Sequence, residues 1–137
     1  MKAMNEKKVA RWQSLMDRVE DDLLQVQAAL VNITEKRNNL SEEAAKLNRM
    51  KVDYLDDLQL CAVEPQLKTK TVFVKDFIQH LEETLVSIAR EIEQVDKLRA
   101  DIKSRYADLL GQFNKYKALN SRASISLKKE RRSRENK

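Results

Sequence analysis

Residues 58–71, with the sequence LQLCAVEPQLKTKT, contain Pro65, the only proline among the 137 residues of the chain. Proline has no backbone N–H and its ring clashes with the preceding helical turn, so a helix ends at or before this position. Apolar residues recur with a seven-residue repeat on both sides of this segment. The stretch therefore predicts two long helices that are joined by a turn and pair with each other.

The apolar repeat defines one face on each predicted helix, at positions a and d of a heptad in which Val9 and Ile78 are a. On the first helix these positions are Val9, Trp12, Met16, Val19, Leu23, Val26, Leu30, Ile33, Arg37, Leu40, Ala44, Leu47, Lys51, Tyr54, Leu58 and Cys61. On the second they are Val74, Ile78, Leu81, Leu85, Ile88, Ile92, Val95, Arg99, Ile102, Tyr106, Leu109, Phe113, Tyr116, Asn120, Ala123 and Leu127. A repeat of about 3.5 residues is typical of left-handed coiled coils. Since the linker is too short for parallel helices, the predicted fold is all-α, a long antiparallel two-helix coiled-coil hairpin.

The repeat also sets the expected boundaries. We expect a single helical hairpin over residues 1–127, with helix 1 at about 5–62, a turn at about 63–70 and helix 2 at about 71–127. The last residues, 128–137 (KKERRSRENK), are expected to form a disordered basic tail. With one glycine, 5% aromatic and 36% charged residues, the chain is expected to be thin and solvent-exposed rather than a compact, enzyme-like globule.

The cysteine content and the lack of long apolar segments are the sequence features that indicate the cellular compartment. Cys61 is the only cysteine, so neither an intramolecular disulfide nor a cysteine-based zinc site is available. The N-terminal sequence MKAMNEKKVARWQ lacks the apolar run of a signal peptide, and no segment reaches the roughly 20 apolar residues of a membrane span. We therefore expect a cytoplasmic protein without direct membrane insertion.

The residues that most catalytic sites need are missing. The chain has one histidine, His80, no cysteine pair and no glycine-rich loop, so the templates for nucleophilic, metal and phosphate chemistry lack parts. The carboxylates of Asp53, Asp56, Asp57 and Glu64 are expected to solvate a helix end rather than to bind a metal. We expect no enzymatic activity and no cofactor.

Basic residues concentrate at the two termini. The net charge is +5, and residues 128–137 and 1–11 supply the excess of lysine and arginine. A hairpin would bring these two segments together. No aromatic platform for bases accompanies them, so a contact with an acidic protein surface is favoured over binding to nucleic acid.

Arg37 and Arg99 interrupt the apolar positions of the two helices. We expect both side chains to extend along their aliphatic stems to carboxylates at Asp96, Glu35 or Asp101. The alternative is that the two arginines form a soft spot that lets the hairpin twist or bend.

Apolar residues also occupy flanking positions, which the second helix does not cover completely. The g side carries Leu15, Met50, Phe77, Leu98 and Leu119, whereas the e side carries only Leu55 and Leu110 among its large apolar residues. Near the turn, g and d residues form one strip, which consists of Leu47, Met50, Tyr54, Phe77, Leu81 and Thr84. An aromatic residue beside a methionine is typical of a protein docking site, although such residues also shield a coiled-coil core.

At this strip the sequence resembles the FliJ/YscO family of type III export stalk proteins, in its flagellar FliJ form more than its injectisome form. The resemblance is carried by Phe77-Ile78-Gln79-His80-Leu81-Glu82, together with Tyr54 upstream. These match the family's aromatic FIQ-x-LE segment early in the second helix and its tyrosine late in the first. Met50 and Thr84 stand where the family has tyrosine and alanine.

The resemblance implies a cytoplasmic central stalk at the export apparatus of the inner membrane. Its partners would be a hexameric export ATPase (FliI/YscN-like), an export gate protein (FlhA/YscV-like) and export chaperones. The gate would contact the strip Leu47, Met50, Tyr54, Phe77, Leu81 and Thr84. The ATPase ring would contact the basic residues Lys7, Lys8, Arg11, Lys128, Lys129, Arg131 and Arg132.

Other functions fit the same hairpin. A general coiled-coil chaperone or scaffold, similar to prefoldin, would need no ATPase and would assemble through the g side. An injectisome stalk and a coiled coil that associates with nucleic acid through residues 128–137 are further alternatives.

Overall fold

Two long helices make up the fold. The computed structural model describes the backbone of residues 2–63 and 68–136 and the side chains of residues 4–60 and 70–136. Helix α1 is Lys2–Val63 and helix α2 is Lys68–Glu135; they pack against each other, which confirms the predicted all-α hairpin. The turn was predicted at about 63–70, but Val63 and residues 68–70 are helical; residues 64–67, which include Pro65, lie outside the described residues.

Both helices are rich in residues with high helix propensity and contain no proline. Gly111 is the only glycine, and it is an exposed interior residue of α2. In proteins, most helical stability comes from the packing of an apolar face rather than from propensity, so we assign most of the stability of this hairpin to the packing of its two apolar faces. Over the residues that the structure describes, neither helix has an apolar stretch long enough to cross a membrane.

The hairpin divides into two compact units, and both helices contribute to each. We call them the terminal unit, which is Met1–Val31 with Ala100–Lys137, and the turn unit, which is Asn32–Arg99. In the terminal unit, the side chain of Gln13 accepts a hydrogen bond from Asn120, and the side chain of Gln27 donates one to the hydroxyl group of Tyr106. In the turn unit, Arg37 pairs with Asp96 and Lys51 with Glu82. The two residue numbers add to the same total in all four pairs, which is the signature of antiparallel pairing.

The terminal unit has its own apolar core. Val19, Val26 and Leu109 are buried at its centre. Partly buried residues that pack against them are Leu23, Ile102, Tyr106, Phe113 and Tyr116. All of these are predicted a or d residues, so the heptad repeat identified this core correctly.

The turn unit has a second core of the same kind. Leu40, Ile88 and Val95 form its buried cluster, against which Ile33, Ala44, Leu47 and Ile92 pack. Val74, Ile78 and Leu81 are also buried. A buried aliphatic side chain of this type contributes about 1.5–3 kcal/mol, and the repeat places one at almost every layer.

Of three polar a residues, Arg37, Asn120 and Arg99, the first two have hydrogen-bond partners across the helix pair. Arg37 Nε lies 2.5 Å from Asp96 Oδ1, which confirms one of the three predicted carboxylates. Asn120 Nδ2 donates to Gln13 Oε1 at 3.0 Å. In contrast, the Nε atom of Arg99 is buried without a hydrogen-bond partner, so the expected carboxylate contact of this atom is absent.

The C-terminal segment differs from the prediction. Helix α2 continues to Glu135, so the expectation of a disordered tail over 128–137 is wrong for residues 128–135. Two physical causes extend the helix: Glu130 Oε1 accepts a hydrogen bond from Asn5 Nδ2 of α1, and Arg132 and Arg134 in the last turn interact favourably with the helix dipole. No glycine or proline interrupts the segment.

Candidate partner-binding site

The predicted strip centres on a contact between two aromatic rings. Tyr54, at a d position of α1, and Phe77, at a g position of α2, have ring centroids 4.7 Å apart and planes inclined by 58°. Tilted aromatic pairs of this kind are favourable beyond the area that they bury. Phe77 keeps 37% of its surface exposed and Tyr54 is partly buried, so the pair is held firmly and remains accessible.

The other strip residues differ in how much of their surface is exposed. Leu81 is only 3% exposed and therefore belongs to the core of the hairpin rather than to its accessible surface. Leu47, Met50 and Thr84 are partly buried. The Thr84 hydroxyl donates to the backbone carbonyl of His80 at 2.9 Å, so this hydroxyl is already bonded within α2. The accessible part of the strip is thus narrower than the predicted set.

An ion pair lies on the other side of the same helix pair. Lys51 Nζ is 3.4 Å from Glu82 Oε1. Lys51 occupies an a position and reaches an e residue of α2, whereas Tyr54 reaches a g residue. The two contacts therefore leave the core on opposite sides, and the aromatic side of the turn unit carries no ion pair near Phe77 among the described residues.

Two exposed apolar residues near the strip were not identified from the sequence. Phe73 is 69% exposed and Leu60 is 67% exposed. Both occupy c positions, next to the g side. Phe73 lies one helical turn before Phe77, so the spacing of the two phenylalanines was the signal that could have identified it.

The e side is more apolar than its e residues alone indicate. Exposed apolar residues at e and b positions are Leu24, Val31, Val52, Leu55, Val72, Val86 and Leu110. The comparison of the two sides by their e and g residues left out the b positions, where five of these seven residues lie. Exposed large apolar residues thus occur on both sides of the coiled coil.

The predicted basic residues lie in the terminal unit. All seven are exposed: Lys7, Lys8, Arg11, Lys128, Lys129, Arg131 and Arg132. The hydrogen bond from Asn5 to Glu130 brings the two terminal segments together, as the sequence predicted. Because all seven cationic groups are solvated, they form an electrostatic surface rather than a binding pocket.

Aromatic contacts fix the helix pair next to this basic surface. The rings of Trp12 and Tyr116 stack with centroids 6.0 Å apart and planes inclined by 21°. The guanidinium carbon of Arg11 lies 5.4 Å from the Trp12 ring centroid, a cation–π distance. Arg11 is therefore a structural residue as well as a candidate partner contact.

The described residues provide no metal site. They contain no group of three or more histidine, cysteine or acidic side chains that could hold a metal ion. Asp53, Asp56 and Asp57 are exposed on α1, and Glu64 of the same predicted cluster lies outside the described residues.

Comparison with protein-family models, with curated proteins and with solved structures gave no match.

Proposed function

We propose that this chain is a non-enzymatic coiled-coil stalk of a flagellar-type (type III) protein export apparatus. In this role it couples a hexameric export ATPase to the membrane export gate, at the cytoplasmic face of the inner membrane. The observation that carries the proposal is the accessible contact between Tyr54 and Phe77, the two residues on which the resemblance to the FliJ/YscO family depends.

The aromatic pair has the properties of a protein-binding hot spot. A hot spot is a well-packed aromatic residue whose remaining surface is covered by the partner. Phe77 rests on Tyr54 and still offers 37% of its surface. Since the ring is already held in place, its ordering on binding costs little entropy. We propose that the export gate protein covers this ring, together with Met50 and Thr84.

The basic surface of the terminal unit supports the contact with the ATPase. Solvated lysine and arginine side chains at both termini attract an acidic surface, and this attraction weakens as salt is added. A ring that surrounds the terminal unit would meet these residues on both helices. The position of this surface, in a different unit from the aromatic pair, gives the stalk separate contacts for ring and gate.

The proposed mechanism is mechanical and allosteric. Binding of the terminal unit by the ring affects the gate only if the ring contacts the stalk differently in its different nucleotide states. Each helix is continuous through both units. In this proposal, the helix backbone transmits a rotation or shift from the contacts with the ring to the contacts with the gate. Transient binding of export chaperones is compatible with the same exposed flanks.

The exposed apolar side chains also support a second candidate, a coiled-coil chaperone or scaffold. Phe73 and Leu60 are both more than half exposed, as expected for a hairpin that holds hydrophobic clients near its turn. Such a protein would bind many partners with similar affinity and would need no ATPase. An injectisome stalk would have the same architecture with different partners.

A pull-down of the cytoplasmic domain of a FlhA-type gate tests the stalk. The double variant Tyr54→Ala with Phe77→Ala is expected to lose gate binding and keep its helical circular dichroism. Val86→Ala is the matched control, because Val86 is an exposed apolar residue of the same unit at a b position. If the double variant retained the gate as well as the control does, the stalk proposal would be rejected.

A second binding experiment separates the stalk from the scaffold. Light scattering of the chain mixed with a hexameric export ATPase is expected to give one complex of defined mass, with one chain for each ring. A scaffold would leave the two proteins separate. Phe73→Ala adds a further distinction, since it should weaken capture of unfolded clients by a chaperone more than the Val86→Ala control does.

A further inference from the structure

The terminal unit has an uncharged stretch on the outside of α1. Residues 23–31, LLQVQAALV, contain no charged residue, although 36% of the chain is charged. Leu23, Val26 and Leu30 face α2, but Leu24 and Val31 are 60% and 65% exposed. Both are b residues seven positions apart, so they lie one above the other on the same face.

Helix α2 extends this face on the e side. Leu23 packs in the same cluster as Leu109, and the pairing of Gln27 with Tyr106 places Leu24 and Leu110 at nearly the same level of the helix pair. Leu110 is 39% exposed. The e and b positions of α2 around it are Lys103, Ala107, Asn114 and Lys117. An apolar centre on two helices, with the small side chain of Ala107 next to Leu110, fits a partner that approaches closely.

The charges around the centre differ between the two helices. On α1 the same face ends in the carboxylates of Asp17 and Glu20, and on α2 it ends in the ammonium groups of Lys103 and Lys117. None of these four groups makes an ion pair within the described residues. One half of the face is therefore acidic and the other half basic.

We propose that this face, which we call the e/b face of the terminal unit, is the surface at which two copies of the chain associate. A two-fold axis parallel to the helices places α1 of each copy against α2 of its partner. Leu24 of one copy then lies opposite Leu110 of the other. The pairing of Gln13 with Asn120 puts Lys117 at the level of Asp17, so Asp17 of each copy lies opposite Lys117 of its partner.

Self-association accounts for both the exposed apolar centre of the face and the opposite charges of its two halves. A face with an apolar centre, an acidic half and a basic half is complementary to itself under a two-fold rotation. The exposed apolar residues would be covered in a four-helix arrangement, in which antiparallel neighbours pack in the same way as α1 and α2 do. The strongly basic segments at the termini lie beyond this face along the helices, so their repulsion does not act at the centre of the contact.

Sedimentation velocity of the full chain over a range of concentrations tests this inference. The unmodified chain is expected to shift from monomer to dimer as concentration rises. Leu24→Glu is expected to weaken the dimer by about tenfold or more, because it places a charge in the apolar centre. Leu98→Glu is the matched control: Leu98 is 50% exposed but lies at a g position, and its dimer should be unchanged.

A charge exchange tests the proposed arrangement of the two copies. Asp17→Lys should weaken the dimer, and Lys117→Glu added to it should restore the original affinity. Circular dichroism of each variant verifies that the hairpin is folded. A chain that stays monomeric at every concentration, or a dimer that is equally sensitive to Leu98→Glu and Leu24→Glu, would overturn the inference. The dimer is the form of the chain free of the ATPase, because a ring around the terminal unit would cover the same face. These outcomes do not depend on the proposed gate contact, since no residue of the Tyr54 strip is altered.

Discussion

Tyr54 and Phe77 come from opposite sides of the turn and lie with their ring centroids 4.7 Å apart. Tyr54 belongs to the apolar repeat, whereas Phe77 is adjacent to it. The contact therefore joins the core of the turn unit to its accessible surface. Substitutions beneath the surface and on it should have different effects, and this difference can be measured.

Leu81→Ala should reduce stability much more than Phe77→Ala does. Leu81 is 3% exposed, and truncation of a buried leucine costs about 2–5 kcal/mol. Phe77 is 37% exposed, so its truncation should cost less. Urea unfolding followed by circular dichroism measures both values. Equal losses for the two variants would mean that Leu81 and Phe77 do not differ in burial as described.

Gly111→Ala should stabilise the hairpin by about 0.5–1 kcal/mol, because alanine has the higher helix propensity and restricts the unfolded chain. Gly111 lies inside α2, and a Cβ added there would have no atom within 4 Å. No steric cost offsets the gain. The melting temperature is the measurement, and a lower value would indicate that Gly111 is required for a contact or bend absent from this structure.

Arg99→Leu should also be stabilising, by about 1 kcal/mol. The buried Nε atom of Arg99 has no hydrogen-bond partner, and an unsatisfied buried donor is costly. Arg37→Leu should have a smaller effect, since it removes the ion pair with Asp96 while it adds an apolar side chain to the core.

Thermal unfolding of both single variants and of the double variant gives these values. The double variant also tests the soft-spot hypothesis. A hairpin that becomes more stable but loses export activity would support a mechanical role for the two arginines. Unchanged stability and unchanged export would reject that role.

Deletion of residues 128–137 should leave the mean residue ellipticity of the chain nearly unchanged. This follows because α2 is helical to Glu135, so the deletion removes residues as helical as the average. Removal of a disordered tail would instead raise the mean value. The same deletion should weaken binding to the export ATPase and reduce the dependence of that binding on salt.

The sequence predicted the core well and the surface less well, for a physical reason. A core position such as Val95 is determined by its spacing, since any residue at a or d faces the other helix. Residues at b and c point away from the other helix, and only the e and g residues were considered as flanking positions. Phe73 and Leu24 were therefore overlooked.

The helical C-terminal segment was missed for a similar reason. A charged composition is typical of disordered tails, and this property of residues 128–137 is visible in the sequence. The hydrogen bond between Asn5 and Glu130 is a contact between residues at opposite ends of the chain. No local pattern around Glu130 indicates that partner.

The central claim is that Tyr54 and Phe77 bind the export gate as one unit. The most direct test is a calorimetric titration of the gate's cytoplasmic domain with the unmodified chain, Tyr54→Ala, Phe77→Ala and the double variant. Because the rings are in contact, their effects should not add: each single variant should weaken binding about tenfold or more, and the double variant little further. Affinity in the double variant equal to that of the unmodified chain would contradict the claim.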